Sequence, residues 1–223
     1  SVSCIYGIGS SEDYIEMMIP ITTGEKIKRD TLLTNLVKIQ YERNDYEFVR
    51  GRLRVRGDVL EIFPSYLEKA VRIELLGDTI KRISEIDPVS GEVISPLSKV
   101  AIYPAKHFIV SGDRIDSAIQ SIKWELEEQL KFLRSKDKLL EAQRLESRTN
   151  YDIEMLREIG YCHGIENYSR HLSGRPPGCR PYCMIDYFQG DFLTIIDESH
   201  VSIPQIRGMY KGDRARKEVL VEY

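Results

Sequence analysis

The spacing of apolar residues changes along this chain from an alternating period to a helical one, and this change limits the folds open to it. Between Arg50 and Arg56 the arginines occupy the even positions, with Leu53 and Val55 between them. A strand here places the arginines on one face and the apolar residues on the other. Turn signals such as Gly57-Asp58 separate short runs and favour an antiparallel sheet. Further strands are predicted at 59–63, 71–75, 79–86 and 100–103.

A helical period governs the stretch that follows. Apolar residues step by three and four at Ile115, Ile119, Ile122, Leu126, Leu130 and Leu133. A second helix is predicted over 139–159, with Gly160 as its stop signal. An earlier helix is expected to begin at Ser10 or Ser11, because acidic residues follow that cap in its first turn.

The last part of the chain carries a different strand signal. Residues 174–178, Gly-Arg-Pro-Pro-Gly, predict a loop. The continuous β-prone run 191–196 then predicts a strand of the kind buried in a parallel sheet. The basic stretch 207–217 predicts the start of another helix.

The acidic sequence Asp197-Glu198-Ser199-His200 directly follows that predicted strand. ATPases need an acid at such a strand end to hold Mg²⁺, and a neighbouring Glu can orient the attacking water. The alternative is an acidic cap where a strand meets a loop. The chain contains no G-x-x-x-x-G-K-[ST] sequence to hold the nucleotide phosphates. We therefore expect this segment not to hydrolyse ATP by itself.

The arginine row Arg50, Arg52, Arg54 and Arg56, with Arg43 nearby, is the second candidate site. Like charges on alternating positions of one strand repel each other, so nearby anions are expected to relieve them. Guanidinium forks bind both carboxylates and phosphates. The pattern alone leaves an acidic protein surface and a nucleic-acid backbone equally open. An exposed, merely solvated sheet face is the third possibility.

Residues 161–170 combine aromatic, amide and arginine side chains after the second long helix. Such a mixture can stack on and hydrogen-bond with single-stranded DNA. A helix-capping corner is the alternative for this segment. The formal net charge of −3 gives no overall basic footprint, so any DNA binding has to come from local patches.

Nothing in the sequence indicates a membrane or an exported protein. No apolar run approaches the ~20 residues needed to cross a bilayer. The start lacks the basic and apolar regions of a signal peptide, and it lacks an initiator Met. We expect a cytoplasmic protein with no membrane contact, represented here by an internal piece of a longer chain.

Several strings along the chain resemble the UvrB family of bacterial nucleotide excision repair. They are 1–7 (Ser-Val-Ser-Cys-Ile-Tyr-Gly), 54–59 (Arg-Val-Arg-Gly-Asp-Val), 164–171 (Gly-Ile-Glu-Asn-Tyr-Ser-Arg-His), 197–200 and 207–217. Transcription-repair coupling factors share a related module but look less similar, because the acidic box is intact here. The resemblance extends over essentially the whole chain.

This resemblance implies a multidomain chain of α/β and α+β class. Residues 1–15 and 182–223 would belong to the first, parallel-sheet motor domain of a helicase-like protein. Residues 16–108 would form an inserted, mainly antiparallel β module that docks UvrA. Residues 109–181 would form a helical insertion near the DNA path. The phosphate-binding loop and the tail that contacts UvrC would lie outside this segment.

The resemblance also implies roles for individual residues. Arg43, Arg54 and Arg56 correspond to positions that engage UvrA, which favours a protein partner for the arginine row. Arg148 and Glu166 correspond to positions along the path of damaged DNA. Asp197, Glu198 and His200 correspond to the acidic box of the ATPase, with Asp197 holding Mg²⁺ through the nucleotide.

The resemblance further implies that ATP and Mg²⁺ bind the full-length protein and that neither binds this segment alone. A self-sufficient DNA-dependent NTPase or helicase is the catalytic alternative.

Overall fold

The structure, a computed structural model, describes residues 7–109, 112–188 and 190–222. Its strands are β1 (Ile19–Thr22), β2 (Glu42–Arg43), β3 (Arg52–Arg56), β4 (Val59–Phe63), β5 (Ala70–Leu76), β6 (Thr79–Ile86), β7 (Val93–Leu97) and β8 (Lys99–Ile102). Its α-helices are α1 (Ser11–Glu16), α2 (Arg29–Lys38), α3 (Gly112–Ser135), α4 (Leu139–Ile159), α5 (Ser169–Leu172) and α6 (Ser199–Glu222). Two short 3-10 helices span Ile165–Tyr168 and Met184–Tyr187.

The central element is a six-stranded sheet in the order β2-β3-β4-β5-β6-β7. All its pairings are antiparallel except β2 with β3, and β1 and β8 form a separate antiparallel pair. The strands predicted at 59–63, 71–75, 79–86 and 100–103 are confirmed to within one residue at each end. Sequence patterns missed β1, β2 and β7. β7 is an edge strand that contains Pro96, and a proline argues against a strand when only the sequence is available.

The alternation within β3 decides which face of the sheet is buried. Leu53 is fully buried, and Val55 packs against the same apolar core. Leu60 and Ile62 of β4 lie directly opposite them and are also fully buried. Burying each such side chain contributes roughly 1.5–3 kcal/mol. The arginines of β3 therefore lie on the outer face.

The helices α3 and α4 form an antiparallel hairpin with its own core. The apolar residues predicted for α3 are buried from Ile119 to Leu133, and Ile153 and Leu156 of α4 pack against its first half. Gly160 ends α4 in the left-handed conformation with φ 74°, where its N–H bonds back to the carbonyl of Leu156. Both long helices predicted from the sequence, and the stop at Gly160, are confirmed.

The end of α4 contacts the β module directly. The side-chain amide of Gln40 donates to the carbonyl oxygen of Ile159 over 2.7 Å. The ammonium of Lys106 lies 4.5 Å from the ring centroid of Tyr161. These contacts connect the sheet with the segment that carries Arg148 and Glu166.

The predicted strand at 191–196 is wrong: these residues form neither strand nor helix. Leu193 and Ile195 are 85% and 83% exposed. A buried parallel strand needs neighbouring strands to pair its backbone groups, and no described strand pairs with it. The parallel-sheet motor domain is therefore not seen within 7–109, 112–188 and 190–222 and stays a prediction. The predicted helix over 207–217 is present, but α6 begins earlier, at Ser199.

None of the helices in the described ranges is long and apolar enough to cross a membrane.

Candidate partner-binding surface

A row of charged residues crosses the outer face of the six-stranded sheet. The strand register sets Arg54 of β3 opposite Glu61 of β4, and Glu61 opposite Arg72 of β5. Arg54 donates its Nε–H to Glu61 Oε2, and Arg72 donates its Nε–H to Glu61 Oε1 at 2.7 Å. Two guanidinium groups thus enclose one carboxylate.

Glu61 is buried although it lies on the outer face. Only 6% of its side chain is exposed, against 15% for Arg54 and 23% for Arg72. Burial alone would raise the pKa of Glu61, but the hydrogen bonds from Arg54 and Arg72 outweigh it and hold that pKa below its usual value. Glu61 is therefore ionised at neutral pH.

Two other arginines of the row, and the nearby Arg43, also pair with carboxylates of this chain. Arg52 pairs with Glu47, Arg50 with Glu68 at 3.9 Å, and Arg43 with Asp45 at 2.9 Å. The chain's own acids therefore relieve the repulsion within the row. The sequence predicted anions near the arginine row but did not identify the residues that supply them. Glu47 and Glu61 were visible in the sequence, but only strand pairing brings Glu61 beside Arg54.

The three arginines implied to engage UvrA differ in accessibility. Arg43 is 55% exposed at its side chain, whereas Arg54 is largely covered. Arg56 is exposed and makes no ion pair with any described residue. Hydrogen bonds from Arg43 and from the backbone N–H of Val55 lower the pKa of Asp45, and the charge of Arg56 adds to this effect. Arg43 and Arg56 thus share one exposed end of the row.

A second cluster surrounds Asp152 on α4, where Arg148 and Tyr168 meet. Arg148 Nε lies 3.0 Å from Asp152 Oδ2, and the Tyr168 hydroxyl donates to the same oxygen at 2.8 Å. Asp152 is 5% exposed at its side chain, whereas Arg148 is 59% exposed. Arg148 also donates to the carbonyl oxygen of His163 at 3.2 Å. Its guanidinium is therefore held at the surface by α4 and the loop that follows it.

Glu166 lies in the same neighbourhood as Arg148 but does not pair with it. The pKa of the Cys162 thiol is raised to about 11, mainly by burial and also by the charges of Asp152 and Glu166, while the charge of Arg148 lowers it. The structure shows the packing of the segment 161–170, whereas a role in binding DNA stays a prediction. Tyr168 packs as a structural group, and Glu166 stays exposed.

The acidic box lies apart from both clusters. Asp197, Glu198 and His200 are exposed at the start of α6, and His200 Nδ1 lies 3.4 Å from Glu198 Oε2. Glu198 has φ 47°. No group of three or more His, Cys, Asp or Glu side chains within the described ranges is placed to hold a metal ion. Mg²⁺ at a nucleotide site is held by one or two carboxylates together with phosphates and waters, so the role of these three residues stays a prediction.

Comparison with known proteins agrees with the strings noted in the sequence. The family model described as the UvrB interaction domain matches residues 19–108, and that described as the UvrB third helical domain matches 113–174. The chain is also 60% identical over its whole length to the UvrABC system protein B of Carboxydothermus hydrogenoformans. The chain belongs to the UvrB family. The proteins of the same name from Caldicellulosiruptor bescii and Geobacillus kaustophilus are 59% and 58% identical to it.

The chain spans about a third of the length of these UvrB relatives, 34% in each case. Arg43, Arg54 and Arg56 fall within the match to the UvrB interaction domain. Arg148 and Glu166 fall within the match to the third helical domain. Asp197, Glu198 and His200 lie beyond both matched ranges.

Proposed function

We propose that this part of UvrB docks UvrA through the outer face of its six-stranded sheet, with Arg43, Arg54 and Arg56 at the contact. One observation carries the proposal: an arginine row with an exposed end crosses this face, inside the segment similar to the UvrB interaction domain. The opposite face is occupied by the protein's own core. Of the two faces of this sheet, only the charged one is therefore open to a partner.

The chemistry of this face favours an acidic protein partner. Arg56 makes no close ion pair with any described residue, although its charge acts on Asp45, so a carboxylate of UvrA can pair with Arg56 directly. Electrostatic complementarity of this kind speeds association and orients the partner. It also predicts binding that weakens as salt concentration rises.

The test is titration of UvrA into the protein, comparing Arg56→Glu with Lys99→Glu. Lys99 is an exposed cation of the β1–β8 pair, outside the six-stranded sheet. Lys99→Glu therefore makes the same change in charge as Arg56→Glu, but at a position away from the proposed docking face. We expect Arg56→Glu to weaken binding roughly tenfold, about 1.4 kcal/mol, and Lys99→Glu to leave it unchanged. Equal affinities of the two variants would move the contact elsewhere.

We also propose that Arg148 and Glu166 border the path of damaged DNA. The exposed guanidinium of Arg148, held by Asp152 and the loop carbonyl of His163, supports this role. A guanidinium fixed at the surface suits contact with a DNA phosphate, which positions the strand. Arg148→Gln should weaken binding of a lesion-containing duplex to the UvrA–UvrB complex, with UvrA binding itself unchanged. Weakening of both would contradict a DNA role.

Asp197, Glu198 and His200 are proposed to serve an ATP site only in the complete UvrB protein. The 223 residues contain no G-x-x-x-x-G-K-[ST] sequence, and within the described part of the chain the three exposed side chains form no larger group that could hold a metal ion. The purified chain should therefore hydrolyse ATP no faster than the buffer background. Turnover clearly above that background would favour the alternative of a self-sufficient NTPase. UvrC, like ATP, would engage only the complete protein.

A further inference from the structure

The guanidinium of Arg54 is fixed on two sides and open on the third. Its Nε–H is used by Glu61, and its flat surface lies over Phe48, with Cζ 4.2 Å from the ring centroid. Its two terminal nitrogens make no hydrogen bond to any described residue. They are also not fully enclosed. Within the described ranges, the only buried side-chain polar atom that lacks a hydrogen-bond partner is Ser84 Oγ. These nitrogens are therefore reachable from solvent, although only 15% of the Arg54 side chain is exposed.

The group that fixes this fork is Glu61. Its two oxygens are divided between two arginines, Oε2 receiving Arg54 and Oε1 receiving Arg72. Arg72 is in turn anchored by donating to the carbonyl oxygen of Gly91 at 2.9 Å. Arg72, itself bonded to the β6–β7 turn, thus holds the Glu61 carboxylate on the side away from Arg54. The carboxylate therefore has little freedom to move with Arg54.

We propose that Glu61 is the positioning residue of the docking surface, and that it presents the terminal nitrogens of Arg54 as a preformed fork for a carboxylate of UvrA. This inference rests on the proposed docking of UvrA. A fork fixed before binding loses less side-chain entropy when its partner arrives. Arg56, two residues further along the same face, adds a second positive charge beside the fork.

A carboxylate fits this fork better than a nucleic-acid backbone does. Glu47, Glu61 and Glu74 are distributed over the same face, where they pair with Arg52, with Arg54 and Arg72, and with Arg82. A run of phosphates crossing the face would approach these acids as well as the arginines. One planar carboxylate needs only the two parallel N–H groups of a single fork.

The experiment compares UvrA binding by Glu61→Gln and by Glu85→Gln. Glu85 is the control because it also forms an ion pair on this sheet, with Lys69 at 2.9 Å, but contacts no arginine of the row. We expect Glu61→Gln to lower UvrA affinity at least tenfold, mainly through faster dissociation, and Glu85→Gln to bind as the wild type does. Wild-type affinity of a folded Glu61→Gln protein would overturn the proposal.

A readout without UvrA separates positioning from docking. In the wild type the Nε–H of Arg54 should give a slowly exchanging proton signal in ¹⁵N NMR, and this signal should be lost in Glu61→Gln. Fast exchange in the wild type would contradict the fixed fork whether or not UvrA binds. Failure of the wild type to bind UvrA, with the signal present, would instead overturn the proposed function.

Two further measurements cover the remaining outcomes. Arg54→Lys keeps the positive charge but has no fork, so it should also bind UvrA at least tenfold more weakly. Wild-type affinity of Arg54→Lys would rule out the fork even if Glu61→Gln failed to fold. Duplex DNA that displaces UvrA from the wild type, but not from Arg54→Lys, would show that the fork holds phosphate and would overturn the carboxylate partner.

Discussion

Reversal of charge at Arg54 should destabilise the β module in addition to removing the proposed contact with UvrA. Arg54→Glu removes one of the two cations that compensate Glu61 and sets a second carboxylate against it. Both members of the pair are largely covered, at 15% and 6% exposed. Removing one partner of a buried ion pair costs about 3–5 kcal/mol. Because Arg72 continues to compensate Glu61, we expect a value near the lower end, about 3 kcal/mol.

This cost is a large fraction of the ~5–15 kcal/mol that stabilises an ordinary domain. In urea, where m is roughly 1–3 kcal/mol/M, it lowers the unfolding midpoint by about 1–3 M. The assay is urea unfolding of wild type, Arg54→Glu and Arg56→Glu, followed by far-ultraviolet circular dichroism. Arg56→Glu should unfold close to the wild type, because Arg56 is exposed and has no ion pair among the described residues.

Equal midpoints for Arg54→Glu and Arg56→Glu would refute this reasoning. They would mean that the Arg54–Glu61 pair contributes no more than an exposed pair does. The expected result has a practical consequence for mapping the surface. Loss of UvrA binding by Arg54→Glu alone combines destabilisation with loss of contact, whereas loss by Arg56→Glu reports on contact.

Three other outcomes can be measured on the same protein. The folded-state pKa of Glu61 is lowered, so its ion pairs stabilise the protein fully above the unfolded pKa of Glu61. This stability is lost as pH falls through the folded pKa. In urea unfolding from pH 6 downward, the free energy of unfolding of Glu61→Gln should therefore fall less steeply with pH than that of the wild type. Burial raises the pKa of Cys162 to about 11, so in native protein at pH 8 iodoacetamide should label exposed Cys179 and spare Cys162, as peptide mass mapping would reveal. Gly160→Ala should lower the free energy of unfolding by about 1–2 kcal/mol, because φ at this position is 74°. The new Cβ would lie 3.6 Å from Gln40 Nε2, which is an ordinary contact, so no steric clash adds to this cost. An unchanged midpoint of thermal unfolding would contradict the conformational argument.

The second candidate site was partly visible in the sequence. The helical period placed Arg148 on α4, and the glycine at 160 set the point where the chain leaves that helix. The burial of Asp152 and its contacts with Arg148 and Tyr168 were not predictable. They depend on the 3-10 turn at Ile165–Tyr168 folding back over α4.

The wrong prediction of a strand at 191–196 has the same kind of cause. Its composition is that of a strand buried between others, and it was predicted on that basis. Apolar, β-prone residues fold as a buried strand only when neighbouring strands supply hydrogen-bond partners and cover both faces. No described strand lies beside this run, so its apolar side chains remain exposed.

Local sequence determined the two faces of β3, because side chains alternate along any strand and the arginines occupy every second position. It also determined both long helices, whose apolar residues recur once per turn. Tertiary structure alone decided what each arginine does. Glu61 lies seven residues from Arg54 and eleven from Arg72 in the chain, and only the register of three strands brings the three charges together. As a result Arg54 is largely covered and fixed by the buried carboxylate, whereas Arg56 is exposed and accessible to a partner.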